Sequence, residues 1–299
     1  IQDRNCDYQN TVILAGTGRS GTTWIADVIN YQNQYRYLFE PFNRLPICQK
    51  TLSCQLYLRP ENKDREKIIL AQSLLSGQIK DLSIDFRAIQ QKKLIFEKRL
   101  IKAICANLFL KWLQVNFPGI PIILLIRHPC AVAISKIKRG WGKYDPGVFL
   151  KKRPELVADY LQPFQKEFEA ANTNFEQYIF NWCINYYVPL KQFQPGEIHL
   201  AFYENFCENP RAEVDRLFRF LGTDYEENIF SKIQQPSSSV RKSSAVVTGQ
   251  NLVNSWKKDI TETQLARAME ILSLFDLDKI YDEQATPNLE NAYKILAQS

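Results

Sequence analysis

The residues best suited to chemistry gather at a few points along the chain. Gly16-Thr17-Gly18-Arg19-Ser20-Gly21-Thr22-Thr23-Trp24 sets glycines and a cation between the apolar run Val12–Ala15 and an amphipathic stretch beginning near Thr22. Glycines let a backbone turn sharply with successive N–H groups facing one point, and a following helix adds its positive end, so this segment suits a phosphate-like anion. Gly16 and Gly21 keep the spacing of a nucleotide-binding loop, but Thr22 stands where its lysine belongs, which serves γ-phosphate chemistry poorly. Arg19 lies inside the loop instead, and the ring of Trp24 could stack on a base. The plainer alternative is a glycine-rich turn with no ligand.

A second point follows the apolar run Ile122–Ile126. Where a magnesium-dependent P-loop enzyme has an aspartate, this run ends in Arg127-His128-Pro129, a cation suited to bidentate phosphate contact. Ser135 lies eight residues on. Phe39-Glu40-Pro41 closes another strand-like run and places a carboxylate at its end. Lys98, Arg99 and Lys102 bring cations near a strand end, Tyr203-Glu204 follows a further strand, and Arg241-Lys242-Ser243 lies in a Ser- and Gln-rich stretch. His128 and His199 are the two histidines; the first reads as structural and the second as a strand residue.

These points need a scaffold, and hydrophobic periodicity supplies one. Strands are predicted at Val12–Ala15, Tyr35–Phe39, Lys93–Glu97, Ile122–Ile126 and Glu197–Phe202, and a loop over Arg44–Arg59. Helices are predicted from Thr22, over Lys63–Ser76, Asp81–Gln90, Ile104–Phe117, Ala131–Arg139, Phe149–Ala171, Asn174–Phe193, Pro210–Leu221, Thr261–Leu274 and Asn288–Ala297. Strands alternating with helices give an α/β fold whose central sheet is mainly parallel. Ligands of such sheets bind at the carboxyl ends of the strands, and the Gly16–Thr23 loop, Glu40, Arg127 and Tyr203 each follow a strand directly. The aromatic stripe Tyr178, Trp182, Tyr186 and Tyr187 reads first as core.

Composition narrows the class. With 299 residues, 45% of them hydrophobic, the chain suits one large α/β domain or two small ones and is not generally disordered. The net charge of +6 has no long basic block, which fits a polyanionic small ligand better than nucleic acid. No apolar run approaches the length of a membrane span. Seven cysteines lack paired C-x-x-C spacing, so Cys105, Cys130 and Cys183 read as packed free thiols, the expected setting is reducing and cytoplasmic, and no metal site is expected.

Taken together, the motifs R-S-G-T-T-W, Arg127 with Ser135, the run from Tyr203 to Pro210, Arg241-Lys242 and Trp256 resemble the sulfotransferases that use 3′-phosphoadenosine 5′-phosphosulfate (PAPS), over residues 11 to 260. That resemblance implies a single domain, 1–299, with the three-layer, P-loop NTPase-like sulfotransferase fold. It implies PAPS as sulfuryl donor, its product PAP, no metal, and a hydroxyl or amine acceptor, which the aromatic content of residues 140–190 inclines towards a small organic molecule. Arg19, Ser20, Gly21, Thr22 and Thr23 would hold the 5′-phosphosulfate. Arg127, Ser135, Arg241, Lys242 and Ser243 would hold the 3′-phosphate, and Trp24 and Tyr203 would flank adenine. Ser243 departs from the family's usual glycine. Cytosolic members use a histidine after a lysine near the third strand, but here Lys102 is followed by Ala103. The F-E-P glutamate of carbohydrate-type and bacterial members matches Phe39-Glu40-Pro41, so Glu40 is the expected base, assisted by Arg19 and Lys102, with Glu97 and Lys98 in reserve. The competing readings are a P-loop phosphotransferase and a non-catalytic nucleotide-binding module.

Overall fold

The computed structural model describes residues 1–54, 56–142, 145–235 and 253–298. They form two compact units. The first comprises Ile1–Leu125, Gly196–Ala201 and the described part of Asn209–Ser239; the second comprises Ile126–Pro195, Phe202–Glu208 and the described part of Val240–Ser299.

The strands are β1 (Gln2–Asp3), β2 (Thr11–Gly16), β3 (Tyr35–Phe39), β4 (Ile95–Phe96), β5 (Lys98–Ala103), β6 (Ile122–Ile126) and β7 (His199–Phe202). Five of them make one sheet in the order β3-β5-β2-β6-β7. β2 pairs with β5 and β6, and β3 with β5, all in parallel. Every residue of β2 and β6 is buried, as expected of strands covered on both faces. Register sets Leu14 and Phe39 on either side of Lys102. Three neighbouring strands therefore deliver the loop after Gly16, Glu40 and Lys102 to one sheet edge.

β5 corrects the strand expected at Lys93–Glu97. Only Ile95–Phe96 of that run pairs, with β1 in a separate two-stranded sheet. The strand of the main sheet is the cationic sequence that follows, paired on both sides by β3 and β2, and it can lie inside the sheet because its charged groups are satisfied. Arg99, 0% exposed, donates to the Thr11 hydroxyl at 2.9 Å and to the carbonyls of Leu75 and Asn5 at 2.8 Å. Arg36 on β3, equally buried, forms a two-pronged pair with Asp85 at 2.7 and 2.8 Å and a further contact with Asp3 at 2.5 Å. Removing one member of such a group would strand a buried charge, which typically costs about 3–5 kcal/mol.

Helices differ from expectation where proline sets a new start. Pro41–Arg44 and Pro46–Thr51 are helical, so the loop predicted over Arg44–Arg59 is only partly loop; each helix opens on a proline whose missing N–H is harmless there. The helix predicted over Phe149–Ala171 is broken into Pro146–Lys151, Pro154–Leu156, a π-turn at Val157–Leu161, a 3-10 turn at Gln162–Phe164 and Gln165–Glu169, because Pro154 and Pro163 each remove a helical N–H. Ile104–Phe117 likewise narrows to a 3-10 turn at Asn107–Phe109 and a helix at Leu110–Asn116. Asn174–Gln192 is a continuous helix held by a Thr173/Glu176 capping box, and Tyr178, Trp182 and Tyr186 on it are buried, as the core reading expects.

Cys105 is not a free thiol. It is disulfide-bonded to Cys54, 51 residues away, a pairing that no local spacing in the sequence announces. Such bonds persist in oxidising surroundings, against the reducing setting expected from the cysteine pattern. Cys130 and Cys183 are free and buried, and burial pushes the Cys130 thiol up to about 12. Thiol titration of the unfolded, unreduced protein should therefore find five thiols of the seven cysteines. Cys105→Ser should lower stability by about 2–4 kcal/mol, read as a lower melting temperature, because the cross-link restricts the unfolded chain. A count of seven thiols would overturn the pairing.

Candidate active site

In the first unit the loop between β2 and helix Thr22–Ile29 is shaped by close approach. A Cβ added at Gly16 would meet the Leu125 carbonyl oxygen at 2.8 Å, so only glycine fits beside β6. Arg19 (φ 77°) and Gly21 (φ 95°) are both left-handed, the geometry from which anion-holding concavities are built. Ser20 is buried and donates through both N and Oγ to the Thr17 carbonyl, at 3.2 and 2.6 Å, which draws the turn tight. Thr22 and Thr23 open the helix. Trp24 is half-buried, and its indole N–H donates to the Ile233 carbonyl at 3.1 Å.

Glu40 leaves β3 in a left-handed conformation (φ 52°, ψ 51°), unusual for a non-glycine residue and more so before proline. Such a backbone costs about 1–3 kcal/mol and persists where the surroundings enforce it. Here the Glu40 N–H donates to the Lys102 carbonyl at 2.8 Å, and the carboxylate Oε1 meets the Lys102 ammonium directly. Asn43 reaches the other oxygen at 3.4 Å. Burial pushes the Lys102 pKa down and the adjacent Glu40 opposes it, so burial dominates. The Phe39 ring covers the ammonium at 4.3 Å.

The reserve candidates lie elsewhere. Glu97 precedes β5 at the strand's amino end, exposed and paired with Arg4 at 2.9 Å. Lys98 is the first residue of β5 and sits over Tyr35, 6.0 Å from its ring centre, at that same end. Neither joins Glu40 and Lys102.

In the second unit Arg127 is fixed on three sides. Its carbonyl accepts from the Trp182 indole at 2.9 Å, the next N–H, of His128, donates to Glu204 Oε1 at 2.9 Å, and its guanidinium lies 4.1 Å above the Tyr203 ring. Glu204 also accepts from the Tyr281 hydroxyl at 2.6 Å. Fully buried, Glu204 has its pKa raised by desolvation against those hydrogen bonds. Sequence reasoning gave Glu204 no part; its position beside Tyr203 is the signal that could have found it. His128 has the structural place expected of it: burial pushes it down to about 3, so the neutral ring donates to the Asp282 carbonyl at 3.1 Å and stacks on Trp256 at 4.3 Å. Ser135 is half-buried on helix Pro129–Lys138. Its neighbour Lys136, also missed, is buried against Trp141 and Tyr178, and desolvation lowers its pKa to about 8. Arg241, Lys242 and Ser243 lie outside the described residues. His199, in the first unit, is a buried strand residue stacked on Phe220 at 5.2 Å.

A family model described as the sulfotransferase domain matches residues 9–282. The chain belongs to the sulfotransferase family. Solved structures similar to this sulfotransferase include the sulfotransferase domain from the curacin biosynthetic pathway, 16% identical over 89% of this chain and 97% of that one, with a TM-score of 0.48. The sulfotransferase domain of the Synechococcus PCC 7002 olefin synthase is 14% identical over 89% and 94%, TM-score 0.47. A mouse sulfotransferase complexed with PAP is 13% identical over 97% and 88%, TM-score 0.45. No curated protein matches the sequence. The fold is accordingly the α/β, P-loop NTPase-like sulfotransferase fold around a central parallel sheet. Among the described residues no helix is long and apolar enough to cross a membrane.

Proposed function

We propose that this sulfotransferase works as one catalytic domain moving the sulfuryl group of PAPS onto a hydroxyl or amine of a small organic acceptor, with Glu40 as general base. The observation that carries this reading is the convergence of the loop, Glu40 and Lys102 at the carboxyl edge of three adjacent parallel strands. The loop's left-handed turn and the start of helix Thr22–Ile29 suit an anionic donor, so Arg19, Ser20, Gly21, Thr22 and Thr23 are assigned the 5′-phosphosulfate. The second unit's Arg127 and Ser135, with Arg241, Lys242 and Ser243, are assigned the 3′-phosphate, and Trp24 and Tyr203 the adenine.

The acceptor oxygen or nitrogen attacks sulfur in line as the bond from sulfur to the 5′-phosphate oxygen breaks, releasing PAP. The acceptor proton passes to Glu40. Once protonated, Glu40 no longer holds Lys102 by charge, and the ammonium becomes available, with Arg19, to the negative charge growing on the leaving oxygen. Sulfuryl carries less charge than a γ-phosphoryl group, so cations and backbone amides of the protein suffice for this role.

Thermal shift separates this from the phosphotransferase and the binding-module readings. PAP without metal is expected to raise the melting temperature clearly, with the effect weakening as salt rises. Stabilisation by ATP with magnesium and none by PAP would overturn the proposal. PAP binding without any turnover of PAPS across an acceptor panel would leave the binding module.

A further inference from the structure

We infer that the Cys54–Cys105 disulfide is a redox latch that positions Glu40 for proton transfer, so that the oxidised protein is the active form. This rests on the reading of Glu40 as the base. Both ends of the stretch from Glu40 to Cys54 are tied to the end of one strand. At its start the Glu40 N–H donates to the Lys102 carbonyl at 2.8 Å, and the carboxylate meets the Lys102 ammonium. At its finish Cys54 is bonded to Cys105, three residues past Lys102 and just beyond β5. Between these points lie the short helices Pro41–Arg44 and Pro46–Thr51, and the whole arrangement belongs to the first unit.

Within this closed loop Glu40 is the element with two states. Its left-handed backbone (φ 52°, ψ 51°) is disfavoured, and a residue before proline prefers the extended region. A conformation of this kind holds only while its surroundings over-determine it. The packing beneath the helices is apolar: Phe42 meets Phe109 edge-on at 5.1 Å, and Cys48 and Leu52 are buried. Apolar contact is non-directional, so it keeps the helices down without fixing where Glu40 points. Their outward polar ties, from Arg44 to the Ser83 carbonyl and from Thr51 to Glu66, are exposed to water, which competes for them. Opening the disulfide therefore lets Glu40 relax toward the extended region, carrying its carboxylate away from Lys102. Reduction by a dithiol cleaves the S–S bond, leaves a thiol on each cysteine and oxidises the dithiol to its cyclic disulfide. The other five cysteines are thiols already, so a dithiol acts on this bond alone.

The alternative is that packing alone keeps this segment in place and the disulfide adds only stability. Protein purified without reductant is compared with the same protein after dithiothreitol, well below the reduced form's melting temperature, with 4-nitrophenol or water as acceptor for PAPS. Reduction should raise the thiol count from five to seven, lower kcat about 10- to 100-fold, the range for a displaced catalytic group, and leave PAP affinity unchanged. Exchange of the Glu40 amide hydrogen should quicken while that of β2 and β6 holds, a readout that needs no acceptor. Oxidised glutathione should restore turnover. Cys54→Ser with Cys105→Ser should match the reduced protein and ignore dithiothreitol. In Glu40→Gln the residual turnover should be the same oxidised or reduced, because no base remains to be displaced, whereas a bond serving stability alone would act on both proteins alike. Unchanged Glu40 exchange on reduction, unchanged turnover, or an equal fall in Glu40→Gln overturns the inference and leaves Glu40 as the base. Full turnover by Glu40→Gln overturns the underlying reading, and this inference with it.

Discussion

Glu40→Gln is expected to remove most sulfuryl transfer while leaving PAP affinity within about twofold, since a positioned base contributes about a hundredfold to ten-thousandfold. Glutamine keeps the shape and can still accept from Asn43, but it cannot take a proton from the acceptor. The substitution also removes the charge that Lys102 meets, in a pair whose side chains are 12% and 4% exposed. Some loss of stability therefore accompanies it, of the size seen when a buried pair is broken, up to about 3–5 kcal/mol. Assays belong well below the variant's melting temperature, with PAP calorimetry confirming that the donor site is intact. Glu97→Gln is the control: Glu97 sits at the amino end of β5, exposed beside Arg4, and turnover should not change. Normal turnover by Glu40→Gln with loss in Glu97→Gln would falsify the assignment of the base.

That control depends on a distinction the sequence blurs. β2, β3 and β6 are apolar, β-branched or aromatic runs bounded by Gly, Glu-Pro or Arg-His-Pro, and their positions are legible from periodicity and punctuation; Tyr35–Phe39 agrees to the residue. β5 is written Lys-Arg-Leu-Ile-Lys-Ala, and its strand character depends on partners far along the chain. Arg99 is paired with Asp3 and hydrogen-bonded by groups at residues 5, 11 and 75, and Lys102 is paired with Glu40. No window of a few residues contains that information, so the pattern favours the neighbouring Lys93–Glu97. Glu40 and Lys102 are legible as chemistry because carboxylate and amine stand at strand ends. Glu204 is not, because its role comes from the His128 N–H and the Tyr281 hydroxyl, 76 and 77 residues away. The Cys54–Cys105 pairing is hidden for the same reason: a bond across 51 residues leaves no local trace.

Arg127→Ala should weaken PAP about 10- to 100-fold, roughly 1.5–3 kcal/mol for one charge-assisted contact, and leave adenosine 5′-phosphosulfate, which lacks the 3′-phosphate, nearly unaffected. The difference between the two ligands is the measurement, because any general damage to the nucleotide site would weaken both. Damage of that kind is not expected: the backbone at this point is held by the Trp182 indole on the Arg127 carbonyl and by Glu204 on the next N–H, and neither bond uses the arginine side chain. What the alanine does remove is the guanidinium covering Tyr203, so a modest loss of stability is expected from that stacked pair, about 0.5–2 kcal/mol. Arg241→Ala tests the same phosphate from the segment outside the described residues and should show the same selectivity, with the salt dependence of PAP binding shallower in each variant. Calorimetry with both nucleotides at two ionic strengths decides it. Equal weakening of PAP and adenosine 5′-phosphosulfate would place these arginines away from the 3′-phosphate.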